Sequence, residues 1–121
     1  VALKDPAILG RTLSDTERAA LFCFAERIRA RFGDRLRELA VFGSRARGDA
    51  TETSDIDVLV VIEGADDADR EAISDEATEL KRSSGEYVPL APLVLSARAR
   101  EQLAAGGRRL ARDVEREGIS L

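Results

Sequence analysis

The chain has no histidine at all, and that single gap removes several chemistries at once. Ser-His and Cys-His nucleophilic pairs, zinc–histidine centres and imidazole acid/base catalysis are all excluded. There is one cysteine, Cys23, so no internal disulfide can form. It falls among apolar residues of an expected helix, and a buried structural thiol is the reading that follows. Lysine is nearly absent: Lys4 and Lys81 are the only two, and arginine carries the rest of the positive charge. With a net charge of −4, general nucleic-acid binding is not expected. No apolar run approaches the roughly 18 residues of a membrane span. No basic stretch followed by an apolar one opens the sequence, so a signal peptide is not expected and the reading is cytoplasmic. Repeats, linkers, a Lys-Ser/Thr-terminated phosphate loop and a dinucleotide Gly-x-Gly-x-x-Gly fingerprint are missing too. Any metal must be held by oxygen donors, which points to magnesium or manganese.

What is present fits one small α+β domain over residues 1–121, with a loose arm at 1–12. Ser14 followed by Glu17 reads as a capping box, and Leu21, Phe24, Ile28 and Phe32 recur at helical spacing. A helix over 15–32 ending at Gly33 follows. Leu36 to Phe42 reads as a strand, and Asp55 to Ile62 as the clearest strand, with Ile56, Val58, Val60 and Ile62 on one face. Residues 66–82 read as an amphipathic helix with Ile73, Ala77 and Leu80 inward and a solvated acidic face. Tyr87 to Leu95 reads as a third strand, placed at an edge by Pro89 and Pro92. Ser96 caps a short helix ending near Gly106, and a last helix carries Leu110 and Val114 to a stop at Gly118. The sum is a small mixed sheet flanked by helices.

The chemistry concentrates between Gly43 and Asp57. Asp55 and Asp57 are two apart on a strand otherwise built of Ile and Val, so they share a face roughly 6.5–7 Å apart. A divalent cation between such carboxylates relieves their repulsion and is suited to phosphoryl transfer. Taken alone, the pair equally describes two solvated aspartates on an exposed face. Upstream, Gly43-Ser44 directly follows a strand; glycine lets a ligand approach the backbone, and free amides with the Ser44 hydroxyl would cradle phosphate. Taken alone, that is also an ordinary strand-to-helix turn. The two features at this separation are far more specific than either.

Gly43-Ser44, ten intervening residues and Asp55-Ile56-Asp57 resemble the signature of the DNA polymerase β-like nucleotidyltransferases. The string Gly43-Ser44-Arg45-Ala46-Arg47-Gly48 with Ser54-Asp55-Ile56-Asp57-Val58-Leu59-Val60 resembles their minimal members from bacteria and archaea. The resemblance implies the nucleotidyltransferase fold, with Asp55 and Asp57 as catalytic ligands of magnesium or manganese. It implies a nucleotide subsite of Gly43, Ser44, Arg45, Arg47 and Ser54. Arg45 and Arg47 are equally readable as solvated loop arginines. It implies transfer of a nucleoside monophosphate, AMP from ATP, to a hydroxyl, in the setting of such proteins a tyrosine of a helical HEPN toxin partner. Homo-oligomerisation stays open. Family members carry a third carboxylate on a neighbouring strand; here that position falls near Ala91. Glu63 and Glu86 flank the region without matching the pattern. The alternative reading is therefore a catalytically weak or inactive nucleotide-binding subunit that acts by binding its partner.

Overall fold

The computed structural model describes residues 13–43, 55–83, 85–106 and 109–121. The expected arm at 1–12 and the segment 44–54, which includes Ser44, Arg45, Arg47 and Ser54, lie outside the described residues.

Helix α1 spans Asp15–Phe32. Both halves of its capping box form: the Glu17 amide donates to Ser14 Oγ at 3.1 Å, and the Ser14 amide to Glu17 Oε1 at 2.9 Å. Gly33 ends the helix at φ 53°, and a 3-10 turn, Gly33–Arg35, leads into strand β1, Leu36–Phe42. Strand β2 is Ile56–Ile62, and helix α2, Asp67–Leu80, follows under a second capping box made by Asp66 and Asp69. A small hairpin comes next, β3 (Arg82–Ser83) and β4 (Glu86–Tyr87), then β5 (Leu90–Ser96). The chain closes with α3 (Ala97–Ala105), α4 (Arg109–Glu117) and β6 (Ile119–Ser120).

The main sheet runs β5-β2-β1-β6 and is mixed: β2 lies parallel to β5, while β1 lies antiparallel to both β2 and β6. Its α+β layering follows from β2, which is apolar on both faces. Ile56, Val58, Val60 and Ile62 are fully buried against Leu21, Phe24 and Ile28 of α1 and Ile73 and Ala77 of α2. The other face of the same strand puts Leu59 and Val61 against Val114 and Leu110 of α4. A strand covered on both sides explains why the alternation in this stretch is so muted. Among the described residues no helix is long and apolar enough to cross a membrane.

Four expectations need correction. The strand read as Tyr87 to Leu95 is broken: Tyr87 pairs with Arg82 in the hairpin, and β5 begins only at Leu90. Pro89 has no amide to continue a ladder, and the Leu90 amide turns back to the Val88 carbonyl at 2.9 Å. The helix read as 66–82 stops at Leu80, because the Lys81 carbonyl accepts from the Val88 amide. The acidic face of α2 is not simply solvated. Arg27 donates to Glu79 at 2.7 Å and to Glu76 at 3.3 Å, and Arg35 bonds Asp69 at 2.5 Å. Charge on α2 is thus matched by arginines from α1 and the turn after it. Cys23, expected to be buried, is only half-buried at the edge of the core. A fourth strand, β6, was not anticipated; Ile119 is fully buried opposite Val41. The placement of β5 at a sheet edge, which accommodates Pro92, is as expected.

Candidate active site

Because β1 and β2 are antiparallel neighbours, the end of one meets the start of the other: Phe42 stands opposite Asp57. Gly43, the next residue, has φ +80°, where L side chains are strained. A Cβ built on it would lie 2.5 Å from Asp57 Oδ2 and 3.4 Å from its Cγ. A side chain at 43 would force the Asp57 carboxylate to shift, so glycine is what allows the aspartate its present position. The sequence reading gave Gly43 a ligand as its close neighbour; the neighbour that the structure gives it is Asp57.

Asp57 is half-buried at the head of the row continued by Leu59 and Val61, on the face covered by α4. Asp55 is exposed and immediately precedes the strand. Ile56 lies between them; its side chain is fully buried on the opposite face, and its amide donates to the Pro89 carbonyl at 2.8 Å. The residue separating the two acids is therefore pinned on both sides, which fixes the backbone that carries them. On the adjoining strand, Ala91 is in register with Asp57. The position expected for a third carboxylate is thus an alanine.

Neither alternative acid takes its place. Glu63 follows the far end of β2, roughly 20 Å from Asp57 at the rise of a strand, and lies 3.7 Å from Arg37. Glu86 is exposed on β4, before β5 begins. Among the described residues no group of three or more Asp, Glu, Cys or His is arranged to hold a metal. The candidate donors are two carboxylates, Asp55 and Asp57. Their oxygen chemistry fits a hard divalent cation, and glycine at 43 adds no side chain beside Asp57 Oδ2.

The opposite end of the sheet is different in character. There Arg35 bonds Asp69, Arg100 bonds Glu38 at 3.0 Å, and Arg37, Glu38, Val61, Glu63 and Arg100 line a cleft of about 360 Å³. The side-chain hydrogen bond from Arg35 holds the Asp69 carboxyl below the usual carboxylate range. Acids at that end are matched by arginines in a way that braces helices to the sheet.

The structure thus brings together Gly43, Asp55 and Asp57; Ser44, Arg45, Arg47 and Ser54 are outside the described residues. The sequence reading overlooked the β3–β4 hairpin, which the parallel pairing of β2 and β5 puts at this same end of the sheet. Ser-Gly at 84–85, a turn dipeptide between short polar stretches, was the available signal.

The nucleotidyltransferase domain family matches residues 24–104, a span that covers β1, β2 and β5, and the chain belongs to that family. Two curated relatives are similar over parts of their length. One, from Methanocaldococcus jannaschii and named "Putative protein adenylyltransferase MJ0604", is 38% identical over 53% of this chain and 60% of its own. The other, "Protein adenylyltransferase MntA" of Thermococcus cleftensis, is 46% identical over 43% of this chain and 50% of its own. The chain therefore matches between half and three-fifths of the length of these relatives. A solved structure described as a "putative nucleotidyltransferase" from Sulfolobus solfataricus is 25% identical, with a TM-score of 0.47 over 74% of this chain and 82% of that one.

Proposed function

We propose that this chain moves AMP from ATP to a hydroxyl group on a protein, with Asp55 and Asp57 holding magnesium or manganese. The observation that carries the reading is the contact between Gly43 and Asp57 in a member of the nucleotidyltransferase family. The names of both curated relatives support adenylate as the group and protein as the acceptor. Such a cation, when bound, neutralises charge on the phosphates during transfer. The chain's own contribution is placement. Ile56 locks the two aspartates, and Gly43 with Ser44 supplies backbone and hydroxyl donors to the β- and γ-phosphates. Arg45, Arg47 and Ser54 complete this subsite in our reading.

In the transfer, the acceptor oxygen bonds to the α-phosphorus as the bond from that phosphorus to the α,β-bridging oxygen breaks. Pyrophosphate leaves with the electron pair. The acceptor's proton has no carboxylate to receive it from β5, where Ala91 adjoins Asp57. That role falls to a group of the acceptor or of a partner. We assign the acceptor to a tyrosine of a helical HEPN-type partner, in the cytoplasm, where ATP and magnesium are abundant.

The in-register Ala91 also favours a second reading, a nucleotide-binding subunit with weak or absent catalysis that neutralises its partner by contact. One experiment separates the two. The chain is incubated with α-labelled ATP, magnesium and the protein partner, beside an Asp55→Asn/Asp57→Asn variant. Transfer of label with pyrophosphate release, lost in the variant together with neutralisation, supports the enzyme. Neutralisation that survives in the variant without any labelling supports the binding subunit.

A further inference from the structure

Tyr87 is the sole tyrosine of the chain and is 66% exposed, one of two large apolar side chains left open among the described residues. Directly opposite it in the hairpin is Arg82, also exposed and without an ion-pair partner among the described residues. Residues opposed across a two-stranded ribbon share a face, so Tyr87 and Arg82 project from the same side of the hairpin. Both neighbours of this pair are anchored: Val88 is fully buried, and its amide donates to the Lys81 carbonyl. Two residues beyond Tyr87, the Pro89 carbonyl accepts from the Ile56 amide, between Asp55 and Asp57. Two extended residues span at most about 7 Å, so the exposed ring belongs to the rim of the aspartate end.

The strand order gives this placement a direction. Gly43 continues β1, Asp57 sits on β2, and the hairpin feeds β5, on the far side of β2 from β1. A triphosphate whose tail rests on Gly43 and whose α-phosphate lies at Asp57 brings its nucleoside within reach of the hairpin, off the in-line path that the acceptor takes past Ala91. An exposed aromatic ring there matches what a base requires, since stacking needs only a π-face and open access.

We propose that Tyr87, with Arg82 beside it, is the platform for the nucleobase. This rests on the triphosphate site proposed above and adds the half of the ligand that the aspartates do not touch. The test compares the affinity of magnesium-loaded chain for ATP and for inorganic tripolyphosphate, in the wild type, Tyr87→Ala and Tyr87→Phe. Loss of a stacked base weakens ATP about tenfold or more in Tyr87→Ala. Tripolyphosphate binds all three proteins equally, and Tyr87→Phe keeps the affinity for ATP. Equal ATP affinity in the wild type and Tyr87→Ala overturns the platform while leaving the aspartate site standing. A parallel loss of both ligands in Tyr87→Ala overturns it too, because the effect would then not belong to the base. A wild type that binds neither ligand overturns the triphosphate site and the platform together.

Discussion

Gly43 and the carboxylate of Asp57 lie so close that a Cβ on the glycine would stand 2.5 Å from Asp57 Oδ2 and the carboxylate would have to move. The contact lies where the end of β1 meets the start of β2. It also allows backbone strain and site damage to be separated by experiment. Gly85 has the same φ of +80° with nothing within 4 Å of its virtual Cβ. Gly43→Ala and Gly85→Ala should each lose about 1–2 kcal/mol for the left-handed backbone. Only Gly43→Ala should also lose magnesium-dependent nucleotide binding, because only there does the methyl displace the aspartate. Thermal unfolding with and without Mg-ATP reads both quantities on each variant. Equal nucleotide responses in the two variants would contradict a role for the contact.

Ala91 beside Asp57 predicts a gain from a single substitution. Ala91→Asp sets a second carboxylate opposite Asp57 across a parallel pair. Without metal, like charges facing each other should destabilise the fold by about 0.2–1 kcal/mol. With magnesium the sign should reverse, and the metal-dependent rise in unfolding midpoint should exceed that of the wild type. A magnesium response no larger than the wild type's would show that the two strands do not share a cation.

The placement of Gly43, Asp55 and Asp57 at one end of the sheet was legible before the fold, and the reason is local. Gly43, Asp55 and Asp57 are short-range features of two strands whose apolar content is unmistakable, and α1 announces itself through Ser14 and Glu17. The elements that escaped notice depend on distant partners. Ile119–Ser120 is too short to show any period and becomes a strand only because β1 has an open edge at Val41. The hairpin is defined by the Val88 amide reaching Lys81, and the pairing of Glu76 with Arg27 joins two helices through residues 49 positions apart. Pattern along a chain carries periodicity and turn chemistry; it does not carry which arginine faces which acid.

The short strand β6 should matter more than its length suggests. Ile119 is fully buried and pairs with Val41, two residues before Gly43. Ile119→Ala should lower stability by about 2–4 kcal/mol through lost burial and the cavity left behind. Urea unfolding should show a lower midpoint with an unchanged slope. A change below about 0.5 kcal/mol would mean that β6 is not part of the cooperative core.

The pairing of Arg35 with Asp69 predicts an acid-dependent loss. The hydrogen bond from Arg35 is the chief cause lowering the Asp69 carboxyl, with the Asp66 amide adding to it against a desolvation effect. A carboxyl depressed in the folded state contributes stability that is present above its unfolded value and is lost as pH falls through the folded one. Between about pH 5 and pH 1, stability of the wild type should therefore fall more steeply than that of Asp69→Asn. The check is the unfolding midpoint of both proteins across that range. Parallel curves would remove Asp69 from the list of acids that stabilise this fold.

The most direct measurement is thermal unfolding with ATP, with and without magnesium, on the wild type and on Asp55→Asn/Asp57→Asn. At about one hundred times its dissociation constant, Mg-ATP should stabilise the wild type by about 2.7 kcal/mol, a shift of many degrees in a domain this size. The account predicts that shift, its dependence on magnesium and its loss in the double variant. An equal shift in the variant, or no shift at millimolar nucleotide in the wild type, would contradict a metal-dependent nucleotide site at Asp55 and Asp57.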